Sequence, residues 1–125
     1  MTPSQPLPPR GGPYSLSRTI PTGLVFVAGQ TAVDPATGKL VGGGIIEQTQ
    51  RVIDNVSAIL AAAGCDLHDV VKVSVFLADL GDFAAMNEIY ASLFQVPYPV
   101  RTTVEAGLAQ GALIEMDVIA FPLSR

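Results

Sequence analysis

The sequence predicts an α/β domain in which one β-sheet carries two helices on the same face. Three observations predict it. Residues 45–63 repeat apolar side chains at the three-and-four spacing of a one-sided helix. Residues 69–79 alternate as a half-buried strand does, and a second helical stripe follows at 83–94. At 125 residues the chain fits one domain with one core.

The elements follow in order. Residues 1–11 hold four prolines and are expected to form a flexible lead-in to a single domain at 12–125. "LVFVAGQT" (24–31) is rich in strand formers, and "DPATGK" (34–39) supplies a turn, so 39–41 is expected to begin the return strand of a hairpin. Three glycines at 42–44 break the pattern before the first helix. Its buried stripe is Ile45, Ile46, Thr49, Val52, Ile53, Val56, Ile59, Leu60 and Ala63, and Gly64 stops it.

"DVVKVSVFLAD" (69–79) places Val71, Val73, Val75 and Leu77 on one strand face. Asp82 or Gly81 is positioned to cap the second helix, whose stripe is Phe83, Met86, Tyr90 and Leu93; Pro97 and Pro99 end it. Two strands close the chain at 100–105 and 112–121, joined around "GLAQG". The order β-β-α-β-α-β-β leaves the second sheet face without a cover. Only 14% of the residues are charged and 49% are hydrophobic, against about a quarter charged in a typical globular chain. Both facts point to a subunit that buries part of its exterior against copies of itself.

Composition narrows the chemistry. Net charge is −4 and the seven basic residues are scattered, so nothing neutralises a run of phosphates and no nucleic-acid partner is expected. Cys65 is the sole cysteine, which forbids an intrachain disulfide and favours a cytoplasmic address. No signal-peptide pattern opens the chain, no stretch of about 18 apolar residues occurs, and no membrane partner is expected. One His and one Cys three apart do not make a transition-metal site, and no metal or cofactor is expected. His68 reads as a surface or capping residue and Cys65 as packing. "GGG" lacks the GK[ST] of a phosphate cradle and reads as a hinge.

Two charges stand out in the closing strands. Arg101 lies among β-branched residues, and Glu115 interrupts an apolar run. Alternation sets Arg101, Thr103 and Glu105 on one face of their strand. It sets Ala112, Ile114, Met116 and Val118 toward the core of the last one, with Leu113, Glu115, Asp117 and Ile119 opposite. The two polar half-faces are expected to meet. Either Arg101 forms a structural ion pair with Glu115 or Glu105, or its planar fork serves a ligand carboxylate.

Five segments in order raise a resemblance. "GPYS" (12–15), "AGQTAVDPATGKLV" (28–41), "QTQRVIDNVSAILAAAG" (48–64), "DVVKVSVFLADLGDFAAMNEIY" (69–90) and "PVRTTVE" (99–105) resemble the Rid/YjgF family of reactive intermediate deaminases. The resemblance implies a chorismate-mutase-like α/β fold with a mixed sheet, assembled as a homotrimer around a central barrel with ligand clefts between subunits. It implies hydrolysis of 2-imino or enamine acids, of the 2-iminobutanoate and 2-iminopropanoate type, to 2-oxo acids and ammonia without a cofactor. Arg101 then takes the place of the arginine that binds the substrate carboxylate, and Glu115 that of the glutamate that orients water. Tyr14, Gly29, Thr103 and Asn87 take substrate-side positions.

The alternatives are a non-catalytic trimer that binds 2-oxo acids and a pathway-specific deaminase for aminoacrylate- or aminomuconate-like compounds. The chain departs from the family in two places. Leu16 stands where glutamine is common. Leu108-Ala109 replaces a Leu-Pro pair, with one residue fewer between Arg101 and Glu115, and the loop is expected to absorb the deletion.

Overall fold

The computed structural model describes residues 6–123. Its strands are β1 (Ser17–Thr19), β2 (Val25–Gln30), β3 (Val70–Leu77), β4 (Val100–Glu105) and β5 (Ile114–Ala120); its helices are α1 (Ile45–Ala62) and α2 (Phe83–Leu93). They form one mixed sheet of order β1-β2-β5-β3-β4. All neighbours are antiparallel except β3 and β4, which run parallel. A parallel pair needs a crossover, and α2 supplies it.

The core is one cluster. Val52, Ile53, Val56, Ile59 and Leu60 of α1 meet Val25 and Val27 of β2, the buried side of β3, and Ile114, Met116, Val118 and Ala120 of β5. Met86, Tyr90 and Phe94 close it from the second helix. The strict alternation of β5 is the expected one. On β3 the buried set is Val70, Val73, Val75 and Leu77, and Val71 is 40% exposed. A register shift between Val70 and Lys72 inserts Val71 as an extra residue and turns it out of the expected stripe.

The first hairpin differs from expectation. β2 pairs with β1, a three-residue strand that sequence reading missed, through a turn in which Gly23 N–H donates to Ile20 O at 2.8 Å. The "DPATGK" turn exists, with Gly38 N–H bonded to Asp34 O at 2.8 Å, but its return limb makes only the isolated bridge Val33–Leu40. The reason is competition: both edges of β2 are already taken, by β1 and β5.

Helix ends follow local rules. Gly44 N–H donates to the Glu47 carboxylate at 2.8 Å at the start of α1, and Gly64 follows its end with φ of 82°, a conformation that suits glycine. Asp82 occupies the N-cap of α2 without a side-chain bond; Asp79 instead accepts Gly81 N–H at 2.8 Å.

Two buried amides unread in the sequence brace the sheet. Gln48 accepts Leu113 N–H at 2.9 Å, and Asn55 donates to Val33 O at 2.8 Å and Thr31 O at 3.3 Å. Each replaces a ladder bond where regular pairing stops.

The face of the sheet away from the helices carries exposed apolar side chains, including Phe26 at 40%, Val100 at 67% and Val104 at 42% exposure. No helix of the described residues is long and apolar enough to cross a membrane. The first five residues of the expected lead-in lie outside the described residues, as do 124 and 125. Within its remainder, Pro8 is buried.

Candidate functional site

The two charges singled out in the sequence occupy opposite faces of the sheet. Arg101 pairs with Val73, which is fully buried under the helices. Glu115 pairs with Phe76, which points to the other side. Directly paired residues project to the same face, so Arg101 stands on the helix side and Glu115 on the open side, with β3 between their strands. The expected meeting of two polar half-faces does not occur within one chain. Neither does the ion pair. Glu105 is otherwise engaged, accepting Leu80 N–H at 2.9 Å.

Arg101 is held by π surface. Its guanidinium carbon lies 4.7 Å from the Tyr90 ring centroid and 5.5 Å from that of Phe83, and Nη1 approaches the Met86 sulfur at 4.0 Å. These three residues belong to the apolar stripe of α2, although Phe83 at its start is 38% exposed. An aromatic face offers a cation partial compensation, about 0.5–2 kcal/mol, while leaving its hydrogen-bond donors unused. No carboxylate neutralises Arg101 among the described residues. Its donors border a cavity of about 410 Å³ that also involves Asn87 and Tyr90.

Thr103, two residues on, shares the face of Arg101, and its hydroxyl is buried without a protein partner. The Tyr90 hydroxyl is in the same state. Burial pushes the Tyr90 phenol up to about 12, against a smaller opposing pull from Arg101. Tyr90 therefore stays neutral beneath the arginine.

Glu115 sits in a different cavity, of about 520 Å³, lined among others by Tyr14, Gly29, Gln30, Gln110 and Arg10. The β2 strand bulges here: Val27 faces Val118 but Gln30 faces Met116, so three steps on β2 match two on β5. The bulge lays the backbone of Gly29 against the Glu115 carboxylate. A Cβ at Gly29 would overlap a carboxylate oxygen and approach its carbon to 3.1 Å. Glycine there leaves the flexible end of Glu115 in its place; a Cβ would make the carboxylate move.

Tyr14 is anchored on the same side, its hydroxyl accepting Gly11 N–H at 3.0 Å. Burial raises the Glu115 carboxyl above its ordinary value, and the negative charge of Asp117 on the same face adds to the rise. A raised carboxyl beside an open cavity is a candidate for proton transfer.

Ahead of β5, Gln110 takes the left-handed conformation, φ 57° and ψ 26°, within a 3-10 turn at Ala109–Gly111. A non-glycine residue there costs on the order of 1 kcal/mol.

The structure thus gathers Arg101 and Asn87 at one cavity, with Thr103 beneath, and Glu115, Tyr14 and Gly29 at another. Sequence reading missed Tyr90 and Phe83 as the seat of Arg101, having taken them for core alone. Two aromatics seven apart on one helix stripe were the available signal. Arg10, Gln30 and Gln110 carried no signal, because irregular backbone brings them to Glu115. Among the described residues, no three His, Cys, Asp or Glu side chains gather as a metal site.

Comparison with known proteins matches residues 6–121 to the family model described as endoribonuclease L-PSP. A RutC family protein of Pyrococcus abyssi is 51% identical over 111 residues, covering 88% of this chain and 87% of its own. The 2-iminobutanoate/2-iminopropanoate deaminase of Capra hircus is 41% identical over 110 residues, covering 87% and 80%. The crystal structure of RidA from an Antarctic Psychrobacter species superposes with a TM-score of 0.89 at 37% identity, covering 93% of this chain and 94% of that one.

Proposed function

The chain belongs to the endoribonuclease L-PSP family, the Rid/YjgF family, and from that premise we propose that it is a hydrolytic deaminase of 2-imino acids. The observation that carries the reading is Arg101: a guanidinium seated on aromatic rings, without a carboxylate partner among the described residues, and bordering a cavity. A cation placed so is incomplete until an anion arrives. The planar carboxylate of a 2-imino acid fits its fork with two parallel hydrogen bonds.

In the proposed reaction, water adds to the C2=N carbon of the clamped acid, and Glu115 accepts a proton from the attacking water and returns it to nitrogen, giving a carbinolamine. Glu115 then takes the proton of the new hydroxyl and delivers it to the amino nitrogen. As the C–N bond breaks, the hydroxyl oxygen becomes the carbonyl, leaving a 2-oxo acid and ammonia. The two half-sites lie on opposite sheet faces, so the working cleft forms between copies: Arg101 and Asn87 from one, Glu115, Tyr14 and Gly29 from the next. The exposed apolar side chains of the open face supply the surface for that association as a homotrimer.

The test is hydrolysis of 2-iminopropanoate or 2-iminobutanoate, generated in situ by an amino-acid oxidase or a dehydratase. The wild type accelerates loss of imine over the buffer rate, and Arg101→Ala loses roughly 100- to 1000-fold in kcat/KM, the cost of an unpaired charged contact. Binding of 2-oxo acids without any acceleration would instead make the protein a ligand-binding trimer.

A further inference from the structure

Arg101 does not fill the cavity it borders. The space, about 410 Å³, lies between α2 and the chain entering β4, and its walls are Asn87, Tyr90, Ala91, Tyr98, Pro99 and Arg101. Pockets that bury whole drug-sized ligands begin at about 300 Å³. A clamped three- or four-carbon acid would leave most of it empty.

We propose that this cavity is a subsite for the substrate's side chain, and that the preferred substrates are 2-imino acids with a large apolar side chain, branched or aromatic. The inference rests on the reading of Arg101 as the carboxylate clamp. In a clamped acid, C2 is one bond from the carboxylate carbon, so its substituent falls in the space that Arg101 borders.

The chemistry of the walls selects that substituent. Asn87, Tyr90 and Ala91 form one helical face at i, i+3 and i+4, with the smallest side chain, Ala91, leaving the room. Tyr90 is 5% exposed and stacked on Phe94 at 4.4 Å between centroids, a fixed aromatic floor. Its hydroxyl is sealed from solvent, and the residue forms part of the cavity wall. Tyr98, 49% exposed, and Pro99 face it from the other side. Among the described residues, no carboxylate or second cation lines the space. A charged side chain would therefore lose its hydration there without compensation, whereas an apolar one gains by leaving water.

The test compares imines generated in situ by an L-amino-acid oxidase from alanine, 2-aminobutanoate and leucine, each referred to its own buffer rate. Apolar burial predicts about a fourfold rise in kcat/KM per added methylene, so the leucine-derived imine exceeds the alanine-derived one at least tenfold, chiefly through KM. Ala91→Leu fills the space and lowers that ratio by about tenfold or more. Tyr98→Ala, which removes a wall instead of adding bulk, lowers it too and serves if Ala91→Leu does not fold. A flat or falling series in an enzyme that does accelerate the alanine-derived imine overturns the subsite and leaves the clamp standing. So does an unchanged ratio in a folded Ala91→Leu protein. No acceleration of any of the three overturns the deaminase reading itself.

Discussion

The arginine half-site and the glutamate half-site are built by different means. Arg101 stands on a regular strand and is seated by a regular helix, its guanidinium contacting, among the described residues, the Tyr90 and Phe83 rings and the Met86 sulfur. Glu115 also stands on a regular strand, but its surroundings are irregular: a bulge at Gly29, a left-handed Gln110 and the proline-rich approach to Tyr14. The buried amides Gln48 and Asn55 hold that irregular backbone in place, bonding to Leu113 on one side and to Thr31 and Val33 on the other. Each half carries the charge that the other lacks. One chain keeps them on opposite faces of its sheet, so under the proposed reading the pair is split between copies.

The sharpest way to break that comparison is to mix defects. Arg101→Ala and Glu115→Gln are each expected to be nearly inactive alone, yet unfolded together and refolded at equal ratio they should recover about a quarter of wild-type activity, because a cleft drawing on two chains is intact whenever it takes one sound half from each. Recovery of none would place both residues of a working site on a single chain. Next in size is Gly29→Ala. Its Cβ displaces the flexible end of Glu115, so kcat should fall about tenfold for a stability loss near 1 kcal/mol, read by steady-state kinetics beside urea melts. Arg101 should be indifferent to it, leaving KM for 2-iminopropanoate within about twofold.

Smaller effects test the electrostatics of each half. Glu115 is raised in the folded state, so folding favours its protonated form. That contribution is present below its unfolded value, about 4.3, and is lost as pH rises through the folded one. Glu115→Gln should accordingly raise the melting temperature by about 2 °C at pH 7 and by nothing measurable below pH 4. A gain that grows on acidification would mean that the carboxylate is stabilised by a partner in the fold. Smallest is Tyr90→Phe. It deletes a buried hydroxyl that has no protein partner while keeping the ring under Arg101, so stability should hold or rise by up to about 1 kcal/mol. A loss of 2 kcal/mol or more would reveal a hydrogen bond at that hydroxyl.

Much of the fold is legible in the sequence because period and burial coincide. Most of the stripe of α1, the alternation of β5 and the stop at Gly64 are where their residues say they are; Ile46, expected in the stripe, is 44% exposed because it lies in the first turn, before the helix packs on the sheet. The failures share a cause. β1 is three residues, Ser17–Thr19, too short and polar to carry a period, and the return limb at 39–41 was inferred from turn chemistry. Turn chemistry says that a chain reverses; it does not say whether the neighbouring strand still has a free edge. Of the candidate site, the resemblance pointed to positions that the fold does gather in two groups, and local pattern alone could not have found Gly29. Its significance is the space taken by Glu115, a residue far off in sequence.

Sequence alone settled most of the residues that α1 and β5 bury, and that Arg101 and Glu115 are charges out of keeping with their strands; Val71, Ile46 and Phe83, expected in buried stripes, are exposed. It determined those things because side-chain period is a local property of the backbone. Whether the two charges share a face is not local. Alternation assigns each residue to one of two sides of its own strand, and only pairing through β3 says which sides coincide. The crossover through α2 sets β4 parallel to β3 with Arg101 beside buried Val73, while antiparallel pairing sets Glu115 beside Phe76 on the far side. Tertiary structure decided that separation, because a residue's face becomes common to two strands only when hydrogen bonds fix the register between them.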